Sequence, residues 1–135
     1  MVEIRGSCLC GKTTYNCSSK PLFLAICHCS ACQKSTGSAF SPVVGVKRAD
    51  LTVLGDSIKV FEGQGDSGKK TFRHFCSECG TTLFGIMESK PEIAFIKAGT
   101  LDDNSWYHPQ INVYWDNHLP WITQLNSIPN SPKMP

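Results

Sequence analysis

Apolar and polar residues alternate over short stretches along most of the chain, which is the pattern of β-strands with one buried face. Residues 57–61 and 71–75 are the clearest cases, because they are rich in β-branched and aromatic side chains. The pattern predicts ten strands, at residues 2–6, 12–17, 23–26, 38–46, 51–54, 58–62, 70–75, 82–86, 93–98 and 111–115. No long window sustains the helical period, so helix is predicted only as a short turn at residues 30–35 and after Pro120.

Turn-forming residues separate these strands and set the organisation of the chain. The Gly-rich stretch at residues 63–68 predicts a mobile loop between two strands. Three prolines within residues 127–135 disfavour a helix or a central strand there. We therefore predict one mainly β domain with little helix over residues 1–126, followed by an extended Pro-rich tail over residues 127–135.

Composition and charge narrow the class of protein. The 135 residues are 41% hydrophobic and 10% aromatic, which is enough for the core of one domain. The net charge of +2 is too balanced to indicate a nucleic-acid binder, and the longest apolar run, residues 22–27, is too short to span a membrane. The first residues show no basic region followed by an apolar stretch, so we expect no secretory signal peptide and a cytoplasmic location.

Eight cysteines are the most informative feature of the composition. They fall into a first group of Cys8 and Cys10, a second of Cys27, Cys29 and Cys32, and a third of Cys76 and Cys79, with Cys17 alone. Closely spaced cysteines in a chain without a secretory signal favour metal binding over disulfides. A disulfide-rich secreted domain is the less favoured alternative.

The first and third groups are predicted to share one metal ion. A glycine, Gly11 or Gly80, directly follows the last cysteine of each group, and each group leads into a Thr-rich strand. Glycine can adopt positive φ, which lets a tight turn direct backbone N–H groups at thiolate sulfurs. Two such turns would supply four thiolates to a tetrahedral, closed, structural Zn²⁺ site. Buried free thiols or disulfides are the alternative for these four cysteines.

The second group offers three thiolates within six residues and has no glycine after Cys32. Three protein ligands with an exchangeable fourth position are typical of catalytic zinc. The alternative is a closed site completed by His28, Cys17 or a distant histidine. We expect the His28 side chain to point away from a metal held by both of its neighbours, and Cys17 to be a small buried apolar residue.

The charge of this second site indicates what it would bind. Zinc that already carries three thiolates is a soft and electron-rich Lewis acid, so it is poorly suited to producing hydroxide from water. It is better suited to binding a fourth sulfur. The predicted ligand is therefore a small-molecule thiol, held as a thiolate nucleophile.

Four motifs give the chain a family resemblance, in the same order and over residues 5–122. They are Gly6-Ser-Cys-Leu-Cys-Gly11, Cys27-His-Cys-Ser-Ala-Cys32 with Thr36-Gly-Ser-Ala-Phe40, Phe75-Cys-Ser-Glu-Cys-Gly80 and Ala98-Gly-Thr-Leu-Asp-Asp103. The sequence resembles the glutathione-dependent formaldehyde-activating enzymes, a zinc family that also includes centromere protein V. The resemblance implies several small coiled antiparallel β-sheets, called a β-tent.

The resemblance also implies two zinc ions per chain and a reaction. Structural zinc would be held by Cys8, Cys10, Cys76 and Cys79, and catalytic zinc by Cys27, Cys29 and Cys32. The implied reaction joins glutathione and formaldehyde into S-hydroxymethylglutathione, a carbon–sulfur lyase activity. Asn112 stands where the family often has a histidine, which His108 or His118 could replace, whereas Pro120-Trp121 is kept.

Two functions therefore remain as hypotheses. The first is a zinc-dependent enzyme that forms or cleaves an adduct of glutathione or a similar thiol. The alternative is a non-catalytic, zinc-stabilised thiol carrier or protein-binding module. The basic pairs Lys47-Arg48 and Lys69-Lys70 are predicted to be solvated loop charges, so no nucleic-acid partner is expected. Four aromatic residues, Phe40, Trp106, Trp115 and Trp121, either line a cleft or pack in the core.

Overall fold

The computed structural model of the protein describes residues 3–134, and within them most regular structure is β. The strands are β1 (Ile4–Ser7), β2 (Thr14–Cys17), β3 (Phe23–Cys27), β4 (Ser41–Lys47), β5 (Leu51–Leu54), β6 (Ile58–Gln64), β7 (Lys70–Cys76), β8 (Thr82–Met87), β9 (Lys90–Lys97) and β10 (Ile111–Val113). One α-helix, α1 (Ser30–Thr36), lies between β3 and β4, and 3₁₀ segments cover Arg48–Asp50, Ala98–Thr100, Trp115–Asn117 and Pro120–Ser127.

The predicted mainly β fold is confirmed. Each predicted strand overlaps an observed one, although Val2, the first residue of the first predicted strand, lies outside the described residues. The predicted turn at residues 30–35 is helix α1, which Cys29 caps at its start and Gly37 ends in the left-handed conformation. The helix predicted after Pro120 is a 3₁₀ helix, with Pro120 in its first turn.

The strands form two sheets. The smaller sheet has the antiparallel order β1–β2–β5, and the larger sheet has the order β10–β3–β4–β9–β8–β7–β6. All neighbours in the larger sheet are antiparallel except β10 and β3, which run parallel. This pair departs from the expected all-antiparallel sheets, because the chain crosses the fold after Thr100 before β10 joins the edge at β3.

The core lies between the two sheets. Its fully buried members include Ile4 from the small sheet and Val44, Leu83 and Ile96 from the large one. Tyr15 crosses the interface and its hydroxyl lies 2.7 Å from Thr100 Oγ1. Because each sheet buries one face against the other, neither sheet would be stable alone.

The opposite face of the large sheet leads to the functional site. On that face, one residue from each of six neighbouring strands is paired in register with the next. These residues are Phe61, Arg73, Gly85, Phe95, Gly45 and Phe23. The Phe23 ring occupies the space that a side chain at Gly45 would need, and it lies 5.8 Å from the Phe95 ring. The same side of the strands carries Cys27, Ser41 and Lys97, as strand alternation requires.

None of the helices within residues 3–134 has the length and the apolar character needed to cross a membrane.

Gly6 is required by the packing between the sheets, which leads to a prediction about stability. A Cβ atom at this position would overlap the Thr100 carbonyl oxygen and the Tyr15 hydroxyl. We expect Gly6→Ala to lower the free energy of unfolding by about 1–3 kcal/mol, the usual cost of overpacking. Gly99→Ala is the matched control, because a Cβ atom there meets nothing within 4 Å. Urea unfolding of both variants measures the difference, and equal stabilities would contradict the prediction.

Candidate metal centres

The cysteines of the first and third groups meet at one point. The Sγ atoms of Cys8, Cys10, Cys76 and Cys79 all lie within 4.8 Å of one another. The Cys8–Cys10 and Cys10–Cys76 sulfur pairs are 3.6 and 3.8 Å apart. A tetrahedral ion with Zn–S bonds of about 2.3 Å separates its sulfurs by about 3.8 Å, whereas a disulfide needs about 2.05 Å. The spacing therefore fits a tetrahedral metal ion and does not fit a disulfide.

Two similar turns bring these four sulfurs together. Gly11 and Gly80 have φ values of +80° and +79°, as the sequence predicts, and each N–H donates to the carbonyl of the first cysteine in its turn. The backbone N–H of that first cysteine donates to a threonine carbonyl after the turn, Thr13 in one case and Thr81 in the other. The turns are thus closed by backbone hydrogen bonds on both sides of the cysteines.

Hydrogen bonds favour the thiolate form of Cys79 and Cys76. Although the backbone N–H of Lys12 opposes the shift, burial and hydrogen bonds with the neighbouring thiols raise the pKa of Cys10 to about 11. The hydroxyl and the backbone N–H of Thr81, followed by the N–H of Cys10, lower the pKa of Cys79 to about 5. The Ser57 hydroxyl, 3.5 Å from Cys76 Sγ, lowers the pKa of Cys76. Metal ligation requires the thiolate, so the contacts of Cys79 and Cys76 favour metal binding at their turn.

The second group is assembled where β3 ends and α1 begins. Cys27 is the last residue of β3, Cys29 caps α1, and Cys32 lies in the first turn of that helix. Their Sγ atoms lie within 4.8 Å of one another, and Cys29 Sγ accepts a hydrogen bond of 3.2 Å from the N–H of Cys32. All three residues are partly buried. Three sulfurs this close also fit one metal ion.

The pKa values of Cys27 and Cys32 in this second group shift in opposite directions. The Cys32 thiol, followed by the N–H of Cys29, stabilises the Cys27 thiolate and lowers the pKa of Cys27 to about 6, although burial opposes the shift. The hydrogen bond to Cys27, together with burial, raises the pKa of Cys32. The thiolate form is therefore favoured at Cys27 and the thiol form at Cys32.

Within residues 3–134, no fourth cysteine, histidine or carboxylate joins this group at the same spacing. Cys17 is buried in the core, where its sulfur lies 3.7 Å from Ser19 Oγ. The ring nitrogens of His28 do not join the three sulfurs, and its Nε2 lies 2.9 Å from Asn112 Oδ1. Of the distant histidines, His108 is exposed, and His118 stacks on Trp115.

Asn112 gives His28 a structural role. The His28 side chain is only 2% exposed, and its backbone N–H donates to the Val113 carbonyl at 3.0 Å. Together with the bond from Nε2 to Asn112, this contact ties the cysteine segment to β10. The ring also makes edge-on contacts with Phe40 and Trp115. The asparagine is therefore a partner of His28 and does not belong to the cysteine group.

The four aromatic residues have different environments. Phe40 and Trp115 contact His28 beside the three cysteines, and Trp115 also stacks on His118 with ring centroids 3.7 Å apart. Trp106 packs against the core, and Trp121 is about half exposed. Phe40 and Trp115 are thus the two that contact the cysteine segment through His28.

Lys97 lies beside the three cysteines, and motif analysis did not select it. Its Nζ donates to Ser41 Oγ at 2.6 Å, and Ser41 is the strand partner of Cys27. Burial lowers the pKa of Lys97, the thiols raise it, and the nearby charge of Arg73 lowers it further. The signal in the sequence was a lysine at the end of the apolar strand β9, but its proximity to the cysteines depends on strand order.

Tyr114 is a second residue that the motifs did not identify. It follows Val113, the strand partner of Cys27, and it adopts the left-handed conformation with φ 55° and ψ 41°. Non-glycine residues in this conformation are uncommon and concentrate at functional sites. The Asp66 carboxylate, followed by burial and then by the negative charge of the Cys29 and Cys27 thiolates, raises the pKa of the Tyr114 phenol.

The loop predicted to be mobile therefore approaches the second cysteine group. It contains Asp66, and it is closed by hydrogen bonds from the N–H of Gly65 to the Lys69 carbonyl and from that of Gly68 to the Gly65 carbonyl. The hairpin formed by β6 and β7 thus brings a carboxylate to the phenol beside the cysteines.

Comparison with known proteins agrees with this geometry. A family model described as glutathione-dependent formaldehyde-activating enzyme matches residues 3–117. The chain belongs to this family. A protein of Aspergillus flavus, provisionally named glutathione-dependent formaldehyde-activating enzyme, is 32% identical over 110 residues, covering 76% of this chain and 56% of the relative.

Two further comparisons extend this result. A protein of Fusarium vanettenii with the same provisional name is 26% identical over 116 residues, covering 77% of this chain and 61% of the relative. The chain thus spans about three fifths of the length of these relatives. A crystal structure of a Rhodobacter sphaeroides protein covers 80% of this chain and 97% of its own, with a TM-score of 0.58 and 20% identity. This last likeness concerns the fold alone.

The two cysteine groups should differ in their effect on stability. The four-sulfur group joins turns that are 66 residues apart, so its loss removes a long-range link between the two sheets. We expect Cys79→Ser to abolish cooperative thermal unfolding, because structural metal binding contributes directly to the free energy of folding. Cys29→Ser should retain a cooperative transition, with a Tm lowered by only a few degrees. Thermal melts of the metal-loaded proteins test this, and collapse of both variants would mean that both groups are structural.

Proposed function

We propose that this protein is a zinc-dependent enzyme of the carbon–sulfur lyase type. It binds glutathione or a similar thiol at Cys27, Cys29 and Cys32, and it forms or cleaves the adduct of that thiol with formaldehyde. The observation that carries the proposal is the group of three sulfurs without a fourth protein ligand in the described residues. Family membership supplies the substrate class.

The proposal includes two zinc ions per chain. Cys8, Cys10, Cys76 and Cys79 would hold the structural ion, since their four sulfurs lie within 4.8 Å of one another and are enough for tetrahedral coordination. Cys27, Cys29 and Cys32 would hold the second ion. We also propose one domain over residues 1–126 and a tail over residues 127–135, because the described residues after Ser127 are exposed and form no regular structure. A cytoplasmic location, where thiols remain reduced, suits both cysteine groups.

Zinc held by three thiolates would supply a position at which an incoming thiol is bound as the thiolate. The residues of the chain then determine what happens around that sulfur. Addition of the sulfur to formaldehyde forms a carbon–sulfur bond and moves the carbonyl electron pair to oxygen, which must receive a hydrogen bond and then a proton. Tyr114 is the proposed donor, because it adjoins the strand partner of Cys27 and a tyrosine hydroxyl, protonated at neutral pH, can donate to the developing oxyanion.

Cobalt substitution tests thiol ligation directly. Elemental analysis should find about two zinc ions per chain, and cobalt in the same positions should show sulfur-to-metal charge-transfer bands. Glutathione should increase these bands, because it adds a sulfur ligand, whereas S-methylglutathione should not. In Cys29→Ser the increase should be lost while the bands of the four-sulfur group remain. Identical spectra with glutathione and its S-methyl analogue would contradict the proposal and favour a protein-binding module.

Tyr114→Phe tests the step after thiol binding. We expect the rate of S-hydroxymethylglutathione formation, measured by NMR exchange spectroscopy with the uncatalysed rate subtracted, to fall by about 100-fold, as for the loss of one oxyanion donor. The affinity for glutathione in the cobalt assay should stay within about twofold. His108→Gln, which changes an exposed residue, is the control. An unchanged rate in Tyr114→Phe would exclude the phenol as the donor. If the protein is only a thiol carrier, neither the unmodified chain nor the Tyr114→Phe variant will show a catalysed rate.

A further inference from the structure

The geometry points to Lys97 and Arg73 as a two-cation subsite that makes the three-cysteine site select anionic thiols over neutral and cationic ones. This inference rests on the proposed function, because it concerns ligands that bind through sulfur at Cys27, Cys29 and Cys32. It goes further by naming the residues that set the charge of the preferred ligand.

The first step is the position of Lys97. Strand β4 lies between β3 and β9, and Ser41 of β4 is paired with Cys27 of β3. The Lys97 ammonium reaches across to Ser41 Oγ at 2.6 Å, and Ser41 is fully buried. The hydrogen bond therefore holds the ammonium at the end of the sheet where Cys27 lies.

The second step is the position of Arg73. Arg73 of β7 is in register with Gly85 and Phe95, and Lys97 lies two residues beyond Phe95 on the same side of β9. One nitrogen of its guanidinium group, Nη1, donates to Thr71 Oγ1 at 3.3 Å. An arginine presents five donors, so this side chain retains capacity to bind a carboxylate.

The third step is the balance of charge on this face. Salt bridges in residues 3–134 join Arg5 to Glu3, Lys12 to Glu78 and Lys70 to Glu62, and none of them involves Lys97 or Arg73. A partly buried lysine near a second cation is unfavourable unless opposite charge lies close to it. Three thiolates with one divalent ion would carry a single net negative charge, and the Asp66 carboxylate near Tyr114 adds a second, so the two cations balance this charge before a ligand binds. Neither cation has a carboxylate partner among the described residues, so a carboxylate on a bound thiol can pair with them.

The charge role can be separated from a purely structural one. Lys97→Gln removes the charge but keeps a side-chain N–H that can donate to Ser41, whereas Lys97→Arg keeps the charge. Arg73→Gln removes the second cation from a partly exposed position. Arg5→Gln is the matched control, because its guanidinium is bound to Glu3 in the small sheet.

The experiment compares three small thiols in the cobalt-substituted full chain at one pH and one ionic strength. They are 3-mercaptopropionate, 2-mercaptoethanol and cysteamine, which are anionic, neutral and cationic away from the sulfur. Because these thiols differ in their own acidity, the quantity of interest is how each variant changes the ratio of their dissociation constants. We expect Arg73→Gln to reduce the preference for mercaptopropionate over mercaptoethanol by about fivefold.

Lys97→Gln should weaken the binding of mercaptopropionate by about tenfold and that of cysteamine by much less, and Lys97→Arg should restore most of the loss. Arg5→Gln should leave every ratio unchanged.

Ratios that stay the same in Arg73→Gln and Lys97→Gln, with all thiols still bound, would overturn this inference and leave the proposed function standing. If no thiol changes the cobalt spectrum of the unmodified chain, the proposed function fails as well. A Lys97→Gln protein that does not fold leaves Arg73→Gln as the deciding variant.

Discussion

The convergence of four cysteine sulfurs from two distant turns is the constraint on which the rest of the structure depends. The turn between β1 and β2 belongs to the small sheet, and the turn between β7 and β8 belongs to the large one. Their sulfurs lie at the spacing of a tetrahedral ion, so a single bound metal would hold the sheets together over the core. A three-stranded sheet with strands of four residues has little stability of its own, which explains why a cross-link is placed there.

The three-cysteine group depends on a different kind of support. It lies at the junction of β3 and α1, where one cysteine caps the helix and another ends the strand. Between two of its cysteines, His28 is held by Asn112 and by the backbone of β10. Lys97 at the end of β9 and Tyr114 just after β10 belong to parts of the chain that are distant in sequence from the cysteine segment. The cysteine segment is therefore held by β10, and the polar side chains near it come from later in the chain.

This arrangement suits chemistry at sulfur more than chemistry at water. A soft ion with thiolate ligands favours another thiolate, and the nearby cations lower the cost of adding that negative charge. The phenol of Tyr114 offers a donor without adding a further charge. Electrostatic preorganisation of this kind requires groups that are already in place before the ligand binds, and the strand pairing at Cys27, Ser41 and Val113 provides it.

The sequence by itself determined the local features of this protein. Strand alternation predicted the β-strands, and the glycines after Cys10 and Cys79 predicted the positive φ angles observed at both turns. The spacing of the cysteines separated them into the same two groups that the structure brings together. These features were predictable because each depends on side-chain periodicity or on the conformational freedom of a few neighbouring residues.

Only the tertiary structure decided how distant parts of the chain meet. The parallel pairing of β10 with β3 places Tyr114 beside the cysteines and Asn112 against His28. The position of β4 between β3 and β9 brings Lys97 to the same end of the sheet. No local pattern encodes these contacts, because strand order and direction depend on how the two sheets bury their apolar faces together.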